Sequence, residues 1–137
     1  MEQSTLPIEQ ASIPTILLVE DHFATRWTAA ELLRLQGFKV IEATSLSEAL
    51  GVAASGVAID LVFSDVQLPE AGEGFALAQW FAKHRRDTPV LLTSGNEITA
   101  GRAFEDLSAK RFRFVRKPYD LEKVVTLMRA MLAIPRR

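Results

Sequence analysis

The feature that most constrains this chain is an alternation. Short runs that are almost wholly apolar, TILLV (15–19), FKVIEA (38–43), DLVFS (60–64), PVLLTS (89–94) and RFRFV (111–115), take turns with longer stretches whose apolar residues recur at helical spacing. The helical stretches run from about Ala24 to Gln36, from Ser47 to Ala54, and through GFALAQWFAKH (74–84), ITAGRAFEDLSA (98–109) and LEKVVTLMRAMLA (121–133). Runs such as TILLV and PVLLT have no polar face, so they suit the centre of a parallel sheet covered by helices on both sides. A repeated βα unit with five strands and five helices follows, which is an α/β fold.

Local signals place several boundaries. Gly37 and Gly56 stop the first two helices. Ser45 or Ser47 caps the second, with Glu48 close behind, and Asp120 caps the last. Pro89 stands where a strand can begin without losing an interior donor. ITAGRAFEDLSA is the weakest helix, because Gly101 costs it about 1 kcal/mol relative to Ala, and it is expected to be the most mobile. Residues 1–14, with Pro7 and Pro14 and no periodicity, read as an extension preceding a single domain over 15–137.

Composition enters by what it excludes. A chain of 137 residues, 48% hydrophobic and 24% charged, has one core to bury and is neither disordered nor fibrous. A net charge of -1 offers no general field for a phosphate backbone, so direct nucleic-acid binding is not expected. With no cysteine there is no disulfide scaffold, thiolate metal site or thiol nucleophile. The amino terminus lacks a basic start and an apolar run, and no segment approaches the roughly 20 apolar residues of a membrane span, so the expected location is the cytoplasm.

In an open parallel sheet, ligands bind outside the carboxyl ends of the strands, so the residues just past each apolar run carry the chemistry. Here these are Glu20 and Asp21, then Asp65, then Ser94 and Gly95, then Lys117 and Pro118. Two like charges about 4 Å apart repel by about 4 kcal/mol at an effective dielectric of 20, so three clustered acids call for a cation. Mg²⁺, which takes one or two carboxylates, waters and a phosphate oxygen, answers that need and suits phosphoryl transfer onto an aspartate. Each residue alone has a plainer reading: Asp21 as a helix cap, Asp65 as a turn residue, Ser94–Gly95 as loop, Lys117 as a surface lysine. Their joint placement at four strand ends favours a site.

The segments LLVED (17–21), LVFSDVQLP (61–69), PVLLTSG (89–95) and VRKP (115–118) together resemble the receiver domain of two-component response regulators, from about Thr15 to the carboxyl terminus. The resemblance implies a flavodoxin-like, doubly wound (βα)5 sandwich with a parallel five-stranded sheet of order 2-1-3-4-5. It implies that Asp65 accepts a phosphoryl group from a histidine kinase or histidine phosphotransfer protein. Asp21 would then hold Mg²⁺ directly, Glu20 through water, and Gln67 through its backbone carbonyl. Ser94 would hydrogen-bond a phosphoryl oxygen, Lys117 would pair with it, and Phe114 would be the aromatic switch residue. A cis peptide before Pro118 is also implied. The chain departs from the commonest pattern in having Glu20 for an aspartate, an extra residue within PEAGEG (69–74), and no hydroxyl on Phe114.

Such a domain is a signalling switch rather than an enzyme, apart from catalysing its own phosphorylation and dephosphorylation. The chain ends about four residues after the last helix, so output is expected through a partner protein. Val124, Leu127, Met128 and Met131 exceed one core stripe and raise a homodimer surface as an option. His22 and His84 read as exposed, with His22 an unsupported metal ligand, and Trp27, Trp80 and Phe81 read as packing residues. Asn96 is a candidate for tuning water access to the phosphoryl group. The rival readings share the topology: an aspartate-dependent phosphohydrolase, which would place an aspartate where Gln67 stands, or a flavin carrier, whose phosphate Glu20 and Asp21 would repel.

Overall fold

A computed structural model describes residues 13–68, 73–95 and 112–133, and every structural statement here concerns those residues. Five strands, β1 (Thr15–Val19), β2 (Lys39–Ala43), β3 (Leu61–Asp65), β4 (Val90–Ser94) and β5 (Phe112–Arg116), form one sheet of order β2-β1-β3-β4-β5. All four pairings are parallel. The expected order 2-1-3-4-5 is therefore the observed one. Four described helices accompany them: α1 (Phe23–Leu35), α2 (Leu46–Ala54), α3 (Glu73–His84) and α4 (Leu121–Leu132). The expected helix ITAGRAFEDLSA lies outside the described residues, as do Asn96 and most of the PEAGEG loop. Of the amino-terminal extension only Ile13 and Pro14 are described, and the Pro14 carbonyl already accepts the Lys39 N–H at 2.9 Å.

Side-chain alternation along the strands divides the interior into two layers. Leu17, Val19, Val62, Val90, Leu92 and Phe112 face α2 and α3, where Ala49, Ala53, Leu77, Ala78 and Phe81 meet them. Ile16, Leu18, Leu61, Phe63 and Leu91 face α1 and α4 through Ala29, Ala30, Leu33, Val124, Val125, Met128 and Met131. This is why the central runs have no polar face: both sides are covered, and each fully buried large side chain contributes roughly 1.5–3 kcal/mol. The last helix is absorbed in the same way. Val124, Met128 and Met131 are buried in this layer, and Leu127 packs partly buried against it.

The boundaries follow local chemistry. Ser45, not Ser47, caps α2: its hydroxyl accepts the Glu48 N–H at 3.1 Å, while Glu48 Oε1 accepts from the Thr44 N–H and hydroxyl. Those bonds hold the Glu48 carboxyl below the usual carboxylate range. Asp120 caps α4 as expected, accepting the Glu122 N–H at 3.0 Å. Gly37 and Gly56 end their helices at φ of +97° and +88°, where a side chain would be strained. Two expectations need correction. Asp21 does not cap α1; His22 does, its ring Nδ1 accepting the Thr25 N–H. Trp27 is 55% exposed instead of packed, whereas Phe81 is buried and Trp80 stacks on His84.

Candidate phosphoacceptor site

The parallel ladder delivers the strand-end residues to one rim. The Glu20 N–H continues the β1–β2 ladder to the Ala43 carbonyl, the Val66 N–H bonds the Thr93 carbonyl, and the Lys117 N–H bonds the Ser94 carbonyl, all at 2.9–3.0 Å. Residues from 20 to 117 are thus brought side by side by backbone bonding alone. The Lys117–Pro118 peptide is cis, as the resemblance implies.

At the centre of the rim is Asp65, 6% exposed at the end of β3. Its Oδ2 accepts from Lys117 Nζ at 2.6 Å, and its Oδ1 accepts the Gln67 N–H at 3.0 Å. The bond from the Gln67 N–H is the turn contact that the plainer reading of Asp65 calls for. Burial draws the Lys117 ammonium toward its neutral form, but the hydrogen bond to Asp65 and the charges of Asp65 and Glu20 outweigh it and hold Lys117 above the usual lysine value.

Glu20 is buried too, at 7% exposure. Its Oε2 accepts the His22 N–H at 3.0 Å. Burial pushes its carboxyl above the usual carboxylate range. The charges of Asp65 and Asp21 add to the rise, while the His22 bond and Lys117 oppose it. Asp21 is exposed at the mouth of the rim, and Gln67 is exposed two residues past Asp65. Ser94 is buried at the end of β4, and Phe114 on β5 is partly buried against the α2–α3 layer. Glu20, Thr25, Ser64, Asp65, Thr93 and Tyr119 line a small hollow at this rim. Burial also raises the Tyr119 phenol, whose ring meets Phe63 edge-on with centroids 6.0 Å apart.

Three carboxylates therefore share a rim with one ammonium. Part of the neutralisation that the sequence assigns to a metal comes from Lys117, and the Glu20 carboxylate turns to the His22 N–H. Among the described residues no three His, Asp or Glu side chains stand close enough to hold a metal ion as they are oriented. A closed protein cage is thereby disfavoured. The donor set nonetheless fits Mg²⁺, because it is made of hard oxygens, carries surplus negative charge, and needs only one or two carboxylates beside water.

Two residues matter here that the sequence did not single out. Gly74, the second residue of α3, packs so closely on β3 that a Cβ there would collide with the Asp65 carbonyl and lie 2.6 Å from the Val66 Cα. The sequence signal was present, a glycine in a helix start after β3, but its contact is tertiary. Arg26 donates from Nη1 to the Glu20 carbonyl at 3.0 Å. No local pattern announces that bond.

Comparison with known proteins agrees with this geometry. The family model described as the response regulator receiver domain matches residues 16–129. The chain is 35% identical over 119 residues to the sensor kinase CckA of Brucella abortus (strain 2308), covering 86% of this chain and 12% of that protein. It is 30% identical over 124 residues to the regulatory protein AtoC of Escherichia coli (strain K12), covering 90% and 26%. Among solved structures, the receiver domain of the hybrid histidine kinase CckA matches with a TM-score of 0.70 at 33% identity, over 86% of this chain and 98% of that one. The non-phosphorylated HemR receiver domain from Leptospira biflexa matches with a TM-score of 0.76 at 30% identity, over 90% and 98%. The chain thus spans a minor part of the curated relatives and nearly all of the isolated receiver structures. By its sequence, its sheet order and its strand-end residues, the chain belongs to the response regulator receiver domain family.

Proposed function

We propose that this chain works as a phosphorylation-dependent switch in which the Asp65 carboxylate takes a phosphoryl group from a histidine kinase or histidine phosphotransfer protein. The observation that carries the reading is the Asp65–Lys117 pair: a buried carboxylate at the end of a central strand, gripped at 2.6 Å by an ammonium 52 residues away. Asp65 is the nucleophile, held in place by Lys117 and the Gln67 N–H. As the phosphoryl group arrives, Lys117 passes from the carboxylate to a phosphoryl oxygen, and the Ser94 hydroxyl donates to another. Asp21, Asp65 and the Gln67 carbonyl would hold Mg²⁺, with Glu20 contributing through water. Bound there, the ion supplies charge neutralisation for the incoming phosphoryl oxygens.

A phosphoryl group adds about two negative charges at neutral pH, so the rim must rearrange to meet them. Ser94 ends β4, and drawing it inward frees space for Phe114 on the neighbouring strand to turn. The change is a population shift between two packings, which phosphorylation biases because only one of them bonds the new oxygens. The altered face then signals through a partner protein. No described helix is long and apolar enough to cross a membrane. Exchange with a kinase's phosphohistidine assigns the domain to the cytoplasm. It turns over no substrate beyond its own phosphorylation and dephosphorylation.

The test is intact-protein mass spectrometry after incubation with a small phosphodonor and Mg²⁺. One stoichiometric, acid-labile phosphoryl adduct is expected on the wild type and none on Asp65→Asn. Adduct on the variant, continuous turnover of the donor, or a bound yellow chromophore would favour a different function.

A further inference from the structure

Arg26 sits one turn into α1 with only 14% of its side chain exposed, and its contacts run in three directions. Nη1 donates to the backbone carbonyl of Glu20 at 3.0 Å. Nε donates to Glu42 Oε1 on β2 at 3.2 Å. The guanidinium also lies over the Phe23 ring, 5.5 Å from its centroid. The anchor is itself held, because the other oxygen of Glu42 accepts from Arg34 Nη2 at 3.1 Å.

Glu20 is consequently fixed at both of its backbone ends. Its N–H is bonded to the Ala43 carbonyl of β2 at 3.0 Å, and its carbonyl is bonded to Arg26. That carbonyl belongs to the peptide joining Glu20 to Asp21. The orientation of this peptide plane sets where the Asp21 Cα lies, and so where its carboxylate can reach. Arginine reaches the carbonyl and Glu42 from two different nitrogens of one rigid fork, whereas lysine's three donors radiate from a single atom.

We infer that Arg26 is a positioning residue for the acidic rim: it clamps the Glu20–Asp21 peptide to Glu42 on β2 and so holds the carboxylates where a divalent cation is taken up. The inference rests on reading that rim as the Mg²⁺ site of a phosphoacceptor. It differs in sign from a purely electrostatic role. A guanidinium beside the rim repels a cation, so if its charge were what mattered, removing it would tighten Mg²⁺ binding. Removal of a clamp loosens it instead.

The experiment is calorimetric titration of Mg²⁺ into the unphosphorylated full chain, wild type against Arg26→Lys, Arg26→Met and Glu42→Gln. Losing an outer partner of a metal site weakens binding about tenfold or more, and that is expected for Arg26→Met. Arg26→Lys should fall between it and the wild type despite keeping its charge, and Glu42→Gln should weaken binding in the same direction. Circular dichroism and melting in a chelator establish folding; if Arg26→Met does not fold, the other two variants decide the matter. Affinity equal to or tighter than wild type in the folded Arg26 variants would overturn the inference, as would a wild type that binds no Mg²⁺. A wild type that binds Mg²⁺ but never takes up a phosphoryl group would sink the proposed function alone, leaving Arg26 to be judged by the titration.

Discussion

Among the described glycines, Gly74 is the one where alanine sets tertiary contact against helix propensity. Taken as a helix residue, Gly74 should gain about 1 kcal/mol on replacement by alanine. The structure reverses the sign. The new Cβ would collide with the Asp65 carbonyl and stand 2.6 Å from the Val66 Cα, about 1 Å inside the roughly 3.5–4.0 Å at which carbon atoms attract. Every atom in the way is backbone, so no rotamer change relieves the clash. The strand end is also tied down, by the Val66 N–H to Thr93 and by the Gly74 N–H to the Val66 carbonyl at 2.8 Å. Overpacking of this kind costs about 1–3 kcal/mol, and a weakened hydrogen bond costs about 1 more. Against the propensity gain, a net loss of about 2 kcal/mol is expected. With a urea m-value of about 2 kcal/mol/M, the unfolding midpoint falls by about 1 M. Gly51→Ala is the internal control. It lies within α2 with nothing within 4 Å of the new Cβ, so it should raise the midpoint. Because the clash displaces the backbone of Asp65, the proposed acceptor, Gly74→Ala should also slow phosphorylation by about tenfold or more. Unchanged or increased stability in Gly74→Ala would refute the close-packing argument.

Two other outcomes follow from the electrostatics. Glu20→Gln keeps an acceptor for the His22 N–H but removes a buried charge beside Asp65 and Asp21, so in a chelator it should stabilise the fold by about 1 kcal/mol, roughly 3 °C in Tm. The same variant should gain less Tm from added Mg²⁺ than the wild type does; a lowered Tm in chelator would contradict the burial argument. Glu48 is held below its ordinary value of 4.5 by Thr44, so the unfolded chain takes up its proton first as the pH falls. Its contribution is present above about pH 4.5 and is lost as the pH drops through the folded value. Urea midpoints measured against pH should show a shallower acid slope in Glu48→Gln than in the wild type, and equal slopes would dismiss the Thr44 contact as a source of stability.

How much of this was legible in the sequence depended on the range of the force involved. TILLV coincides with β1 residue for residue because burial on both faces leaves an unbroken apolar run, and the glycine stops at 37 and 56 are equally local. The start of α1 was misassigned because histidine is a rare cap, and only its ring geometry reveals that Nδ1 takes the Thr25 N–H. The strand-end site was readable as a set of positions, since parallel strands of similar length must present their ends together. Its pairings were not. That Lys117 lies against Asp65, and that the Glu20 carboxylate turns to the His22 N–H, depends on side-chain geometry. The contacts of Gly74 and Arg26 were not legible because their partners, Val66 and Glu42, reach them only through packing of helix on sheet.

The claim on which the account turns is that Asp65, among three carboxylates on the rim, is the one that captures phosphorus. Borohydride reduction of the phosphodonor-treated protein converts an aspartyl phosphate to homoserine, and peptide sequencing by mass spectrometry then locates it. The account predicts homoserine at position 65 alone, dependent on Mg²⁺. Homoserine at position 21, reduction of Glu20, or an unreduced protein that nonetheless carries phosphate would contradict it.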